Sequence, residues 1–275
     1  MTSERLRRPG RPTLELIRAE PAPGSAVGAP ALLLHGAFAG AWCWEERFLG
    51  ALAAGGRRAA AVSLRGHGAS EGRRNLRLST IEDYLDDLHA AIRAMPSPPV
   101  LIGHSLGGYL AQLVLGVVPI RGIVLMSSLP PDGLALVGAR LAFTDPVFWA
   151  EGVLGSAGRS KSAVEIAALD VLFGSAITPL ERMQYARRMV PESPVALAQT
   201  HLPRWVLPAK AASLPALVMQ GGQDRMIWEG TALRTALYHG AETINVPSGS
   251  HLLMLDPAAN EAARLLLDWM RRHDL

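Results

Sequence analysis

The sequence predicts an α/β fold: a mostly parallel central sheet flanked by helices, interrupted once by a helical insertion. Three observations carry this. Short apolar runs alternate with helical patterns along most of the chain, the alternation stops between residues 130 and 208, and one strand runs directly into a helix through a glycine-flanked serine at residues 103–107.

The apolar runs Ala31 to Leu34, Arg58 to Leu64, Val100 to Ile102, Ile123 to Met126, Ala216 to Met219 and Thr243 to Val246 read as buried parallel strands, each too short for a helix and rich in aliphatic residues. Between them, Glu45 to Ala54 reads as a helix, and Ser79 to Met95 places Leu85, Leu88, Ile92 and Met95 on one face. The final helix is expected to use Asp256 as N-cap with Pro257 in its first turn, and its stripe Ala262, Leu265, Leu266 and Trp269 suits it to cover the sheet. The insertion has its own helix starts: Thr178-Pro179-Leu180-Glu181 is a capping box, and Ser193-Pro194 is a cap followed by proline. The expected organisation is therefore a polar tail over 1–12, core over 13–129, a helical lid over 130–208 and core again over 209–275.

Composition narrows the function. The 275 residues can bury a sizeable core, and 49% apolar against 19% charged residues describes a globular chain. The net charge is only +3, and the one basic cluster, Arg5, Arg7, Arg8 and Arg11, reads as a solvated tail, so no nucleic-acid partner is expected. A single cysteine, Cys43, excludes an intrachain disulfide; with no cysteine cluster and no H-E-x-x-H pattern, no metal is expected. The N-terminal stretch lacks an apolar signal core and no run reaches about 18 apolar residues, so the expectation is a cytoplasmic chain without a membrane span, acting on a small molecule.

The chemistry centres on Gly103-His104-Ser105-Leu106-Gly107. A strand entering a helix through G-x-S-x-G makes a tight turn that exposes the serine at the C-terminal end of the sheet, with the helix N-terminus behind it. A serine hydroxyl needs a base, and the base needs an orienting carboxylate. Asp224 follows the strand Ala216 to Met219 in Gly221-Gly222-Gln223-Asp224, and His251 follows the next strand in Gly249-Ser250-His251. The chain order Ser105, Asp224, His251 places all three in loops at the same sheet edge. Asp132, after the strand Ile123 to Met126, is the rival acid.

These motifs, together with His35-Gly36 and the Arg65-Gly66-His67-Gly68 turn, resemble the α/β-hydrolase superfamily from about Ala31 onward, in particular its small esterase-like serine hydrolases with a helical lid. The resemblance implies an α/β-hydrolase fold and an oxyanion hole made by the backbone N–H groups of Leu106 and Ala37, with Phe38 as alternative donor. It also implies an acyl-enzyme on Ser105 and no cofactor. One departure is Ser63, two residues before the Arg65 turn, where many relatives carry aspartate. His35 is expected to order the oxyanion loop, and the His104 side chain to point away from the site. Phe38, Phe143, Phe148, Trp149 and Phe173 are candidates to line an apolar substrate pocket under the lid. Relatives of this kind also include lyases, C–C hydrolases and cofactor-free oxygenases or peroxidases. Such a non-hydrolytic enzyme, or a ligand receptor that kept the pocket, is the alternative to a serine hydrolase of small to medium apolar or aromatic esters.

Overall fold

The computed structural model describes residues 1–146, 149–150, 171–202 and 204–275. Its eight strands form one sheet in the order β1-β2-β4-β3-β5-β6-β7-β8, where β1 is Thr2–Leu6, β2 Leu14–Ala19, β3 Ala31–Leu34, β4 Ala59–Ser63, β5 Val100–His104, β6 Gly122–Met126, β7 Ala216–Gly221 and β8 Glu242–Val246. From β4 to β8 all pairings are parallel. The six expected strands are present.

The N-terminus differs from expectation. Residues 1–12 are not a solvated tail: β1 is an edge strand antiparallel to β2, which pairs antiparallel with β4. Its sequence hides the strand because Thr2, Ser3, Glu4 and Arg5 are all exposed, and charged side chains are what an edge strand uses to discourage further pairing. Arg8 is not solvated either; its guanidinium is nearly buried and pairs with Asp87 at 2.6 Å and Asp86 at 3.2 Å.

Strand periodicity sorts the apolar residues into two cores. Leu33, Ala61, Ile102, Val124 and Leu217 face one layer, while Leu32, Ala60, Leu101, Ile123 and Val218 face the other. The first layer is closed by a 3-10 turn (Ala41–Trp44), one turn of π-helix (Glu45–Leu49), α1 (Gly50–Ala54) and the final helix, Ala259–Arg272. Ala262, Leu266 and Trp269 of that helix are fully buried, each large side chain contributing about 1.5–3 kcal/mol. The second layer is closed by α2 (Ile81–Arg93) and α3 (Leu106–Leu113). Thr80 and Asp83 form a capping box at the start of α2.

Asp256 is not the N-cap of the final helix, whose first residue is Ala259; the intervening turn is closed by the Asp256 carbonyl, and the carboxylate has another partner. Within 130–208 the described residues hold helices α4 (Ala135–Thr144), α5 (Pro179–Arg188) and α6 (Pro194–Gln199) and no strand. The Thr178–Glu181 capping box and the Ser193 cap form as the sequence indicates. After β7 come α7 (Glu229–His239), β8 and α8 (Ala259–Arg272). Among the described residues no helix is long and apolar enough to cross a membrane.

Candidate active site

Ser105 links β5 to α3 with φ 49° and ψ −117°, a backbone conformation that a non-glycine residue adopts only when its surroundings impose it. The imposition comes from close packing. A Cβ at Gly107 would lie 2.4 Å from the His35 carbonyl oxygen, and one at Gly103 would lie 2.5 Å from the Gly107 oxygen, so both glycines let α3 press against the ends of β3 and β5. The Ser105 N–H donates to Met126 O and the Ser105 carbonyl accepts from Leu129 and Tyr109, which fixes the elbow to β6 as well. Leu106 opens α3, where backbone N–H groups have no acceptor within the helix.

Asp224 and His251 come together as expected. His251 Nδ1 lies 3.0 Å from Asp224 Oδ2, and both side chains are buried. The carboxylate is itself held, since Oδ1 accepts the backbone N–H groups of Met226 and Ile227 at 2.9 and 2.8 Å. Because a carboxylate only accepts, the proton of this contact resides on Nδ1, which leaves Nε2 as the basic nitrogen of the neutral ring. Asp132, the rival acid, is on the surface and pairs with Arg234 at 3.1 Å.

His104 departs from expectation. It does not point away: its ring lies against that of His251 with centroids 4.8 Å apart, and its Nε2 donates to the His251 carbonyl at 2.9 Å. Burial, reinforced by the neighbouring His251, pushes its pKa well below the ordinary histidine value and keeps it neutral. The residue beside the serine thus fastens the histidine loop. Asp256 fastens it from the other side, accepting from the Ser250 N–H; burial pushes its carboxyl upward against that bond.

The loop after β3 passes over the serine. A Cβ at Gly36 would stand 3.0 Å from Ser105 Cβ and 2.6 Å from His104 Nδ1, so only glycine fits. His35 orders the loop, donating from Nδ1 to Gly36 O at 2.7 Å and accepting the Leu64 N–H on Nε2 at 3.0 Å. That pattern requires a neutral ring, in keeping with a pKa pulled down to about 3 by burial and by His67 nearby. Ala37 is partly buried, and Phe38 sits at φ 67°. Ser63, the departure noted in the sequence, accepts from the Ala41 N–H at 2.8 Å and donates to Glu15 at 2.7 Å. The hydroxyl and a carboxylate borrowed from β2 together occupy this position.

The remaining pocket candidates divide. Phe173 is buried, stacked on Tyr185, which stacks on Trp42. Its neighbours reach the site: Leu172 O accepts from Leu252 N, and a Cβ at Gly174 would meet Ser250 Cβ at 3.3 Å. Phe143 is 90% exposed and does not line an enclosed pocket; it lies near the C-terminal end of α4 on the side left uncovered. Trp149 is 41% exposed, and Phe148 falls outside the described residues. Sequence reasoning missed His104 and Glu192 as parts of the site's surroundings, because each acts through a contact between segments distant in the chain, and it took Asp256 for a helix cap when the carboxylate instead turns back six residues to the Ser250 N–H. Among the described residues no cluster of His, Cys, Asp or Glu has the arrangement of a metal site.

The strained serine turn between β5 and α3, the buried His–Asp pair and the sheet order together define an α/β protein with its candidate site at one edge of a mostly parallel sheet. The chain belongs to the alpha/beta hydrolase family, whose model matches residues 31–263. Among curated proteins it is similar to methylesterase 3 of Arabidopsis thaliana, 35% identical over 105 residues that make up 37% of this chain and 40% of the relative. It is also similar to esterase PIR7B of Oryza sativa subsp. japonica, 39% identical over 87 residues, 30% of this chain and 32% of the relative. These matches thus span less than half of either curated relative. Among solved structures, an esterase from Thermogutta terrifontis superposes with a TM-score of 0.71 at 18% identity, covering 100% of both chains. The enol-lactonase from Burkholderia xenovorans LB400 gives 0.70 at 18% identity over 94% of this chain and 97% of its own. At such identities the structural likeness speaks for the fold.

Proposed function

We propose that this chain is a serine hydrolase of small to medium apolar or aromatic esters, working through an acyl-enzyme on Ser105. The observation that carries the reading is the His251–Asp224 pair at 3.0 Å, tied through His104 to a serine held at φ 49°. The names of the curated relatives, methylesterase and esterase, support ester bonds as the substrate class.

In this mechanism His251 Nε2 takes the Ser105 hydroxyl proton as Oγ attacks the ester carbonyl. The Leu106 N–H and the Ala37 N–H, or that of Phe38, stabilise the oxyanion; one such donor is worth about 3–4 kcal/mol in the transition state. The protonated His251 then gives its proton to the leaving alcohol. Water, deprotonated by the same nitrogen, releases the acid and restores the serine. Asp224 holds the ring in the required tautomer throughout. Residues 130–208 act as a lid, and Phe173, set between the stack on Tyr185 and the His251 loop, contributes to acyl or alcohol selection.

The test is hydrolysis of p-nitrophenyl esters with fluorophosphonate labelling. Ser105→Ala and His251→Ala are expected to lose about 10⁴-fold or more in kcat, and Ser105→Ala to lose the label. A wild-type enzyme that labels at Ser105 but turns over no ester would instead indicate a lyase or other non-hydrolytic use of the same residues. Phe173→Ala should change the ratio of kcat/KM between short and longer esters, whereas the exposed Phe143→Ala should not.

A further inference from the structure

The segment that leads from α5 into α6 touches the loop over Ser105 at two points. The Val190 N–H donates to Phe38 O at 2.9 Å. Two residues on, Glu192 is enclosed completely, which is unusual for a carboxylate and calls for partners. Its Oε1 accepts from the Tyr84 hydroxyl and from the Ser193 N–H, the latter at 2.6 Å, and Oε2 lies 3.2 Å from His67 Nε2.

His67 is fully buried as well, and its Nδ1 lies 3.1 Å from Arg65 O. A carbonyl only accepts, so Nδ1 carries a proton and Nε2 is the nitrogen that faces the carboxylate. The His67 ring packs on His35 with centroids 5.1 Å apart, and His35 holds Gly36 O. Burial pushes the Glu192 carboxyl towards neutrality, but His67 and the hydrogen bonds from Tyr84 and Ser193 outweigh it and its pKa lies below the ordinary value. A buried charged group of this sort is poor value for stability alone, since an apolar replacement of equal shape would serve packing as well. What it does provide is directional fixation. The loop it reaches contains Phe38 in the left-handed region, where a bulky residue does not stay unaided.

We propose that Glu192 is a positioning residue for the loop at residues 35–38: through His67 and His35 on one side, and through the Val190–Phe38 bond of the same segment on the other, the return of the lid sets the backbone that faces Ser105. The catalytic meaning of that loop rests on the serine-hydrolase reading; its fixation by Glu192 does not.

Glu192→Ala and Glu192→Gln separate the possibilities. Glutamine keeps an acceptor for Tyr84 and Ser193 and offers an N–H to His67 Nε2, so it should restore what alanine loses. In Glu192→Ala, amide hydrogen exchange across residues 35–42 is expected to quicken while that of β5 and β6 is unchanged. Its kcat for p-nitrophenyl acetate should fall about 10- to 100-fold, as for a misplacement on the order of 1 Å, with KM within about threefold. Binding of a trifluoromethyl ketone, which forms an oxyanion on the serine, should weaken in parallel. If Glu192→Ala does not fold, Val190→Pro decides: it leaves the buried cluster intact and removes only the N–H to Phe38, with Met189 already in the extended conformation that a following proline requires (φ −70°, ψ 152°). It should show the same two effects. The proposal is overturned if the folded alanine variant, or Val190→Pro in its place, keeps wild-type exchange over 35–42, or if Glu192→Gln restores neither exchange nor kcat. Should the wild type hydrolyse no ester while the exchange result holds, the functional reading falls and the positioning role stands.

Discussion

Gly107→Ala places a methyl group where α3 meets β3, and its consequences can be worked out from the structure. Taken as helix propensity alone, the change is favourable by about 1 kcal/mol. The new Cβ, however, would lie 2.4 Å from His35 O and 2.8 Å from Leu34 O, against the 3.4 Å at which ordinary contact begins. Leu34 O belongs to a strand paired on both sides, with β4 and β5, and His35 O is the next backbone carbonyl, in the loop that leaves it, so neither can swing away like a side chain. The helix start must shift by about 1 Å, and overpacking of this kind costs about 1–3 kcal/mol, which exceeds the propensity gain. At roughly 2–4 °C per kcal/mol for a chain of this size, the melting temperature should fall by a few degrees. The larger effect is on catalysis, because the same shift moves the Leu106 N–H relative to the loop at 35–38, and a displacement of that size can cost about 100-fold in kcat. Thermal unfolding followed by circular dichroism and initial rates on p-nitrophenyl acetate read the two effects. Gly50→Ala is the control: a Cβ there meets nothing within 4 Å and the backbone is already helical, at φ −64° and ψ −41°, so it should stabilise by about 0.4–1 kcal/mol and leave kcat alone. A Gly107→Ala protein with unchanged melting and wild-type kcat would refute the reasoning.

Asp224→Asn should lower kcat steeply because the His251 tautomer is no longer fixed, while Asp132→Asn, which loses only a surface pair with Arg234, should stay within about twofold of wild type; the reverse ranking would move the acid to the β6 loop. Ser63→Ala strands the buried Ala41 N–H and removes a donor to Glu15, so urea denaturation should show a loss of about 1–3 kcal/mol, and none would mean that water takes over both bonds. The pKa values of His35 and His239 are lowered from 6.5 to about 3 and about 4 by burial, so the unfolded chain binds protons that the native rings refuse once the pH drops below about 6.5. Stability should therefore be undiminished above that pH and fall below it, by about 1.4 kcal/mol per pH unit for each ring until the native value is reached; these two rings contribute about 2–3 kcal/mol between pH 7 and 5.5, and the buried neutral His104 adds in the same direction. Equal urea midpoints at the two pH values would contradict this.

What the sequence determined by itself is local or periodic in character. The parallel strands followed from short aliphatic runs, the helix starts at Thr178 and Ser193 from capping chemistry, and the elbow from glycines flanking Ser105, because each signal is contained within a few residues. The pairing of Asp224 with His251 was legible for a related reason, since chain order at one sheet edge limits which loops can meet. The tertiary structure decided whatever depends on segments far apart in the chain. β1 became a strand only because β2 offers it an edge, and Arg8 is buried only because Asp86 and Asp87 lie 78 and 79 residues away. The backbone contacts made by Leu172 and Val190, the turn of His104 towards His251 and the enclosure of Glu192 against His67 leave no local mark. A hydrogen bond or an ion pair is specified by distance and direction in space, and the sequence carries that information only where the two partners belong to the same turn of helix or to neighbouring loops at one edge of the sheet.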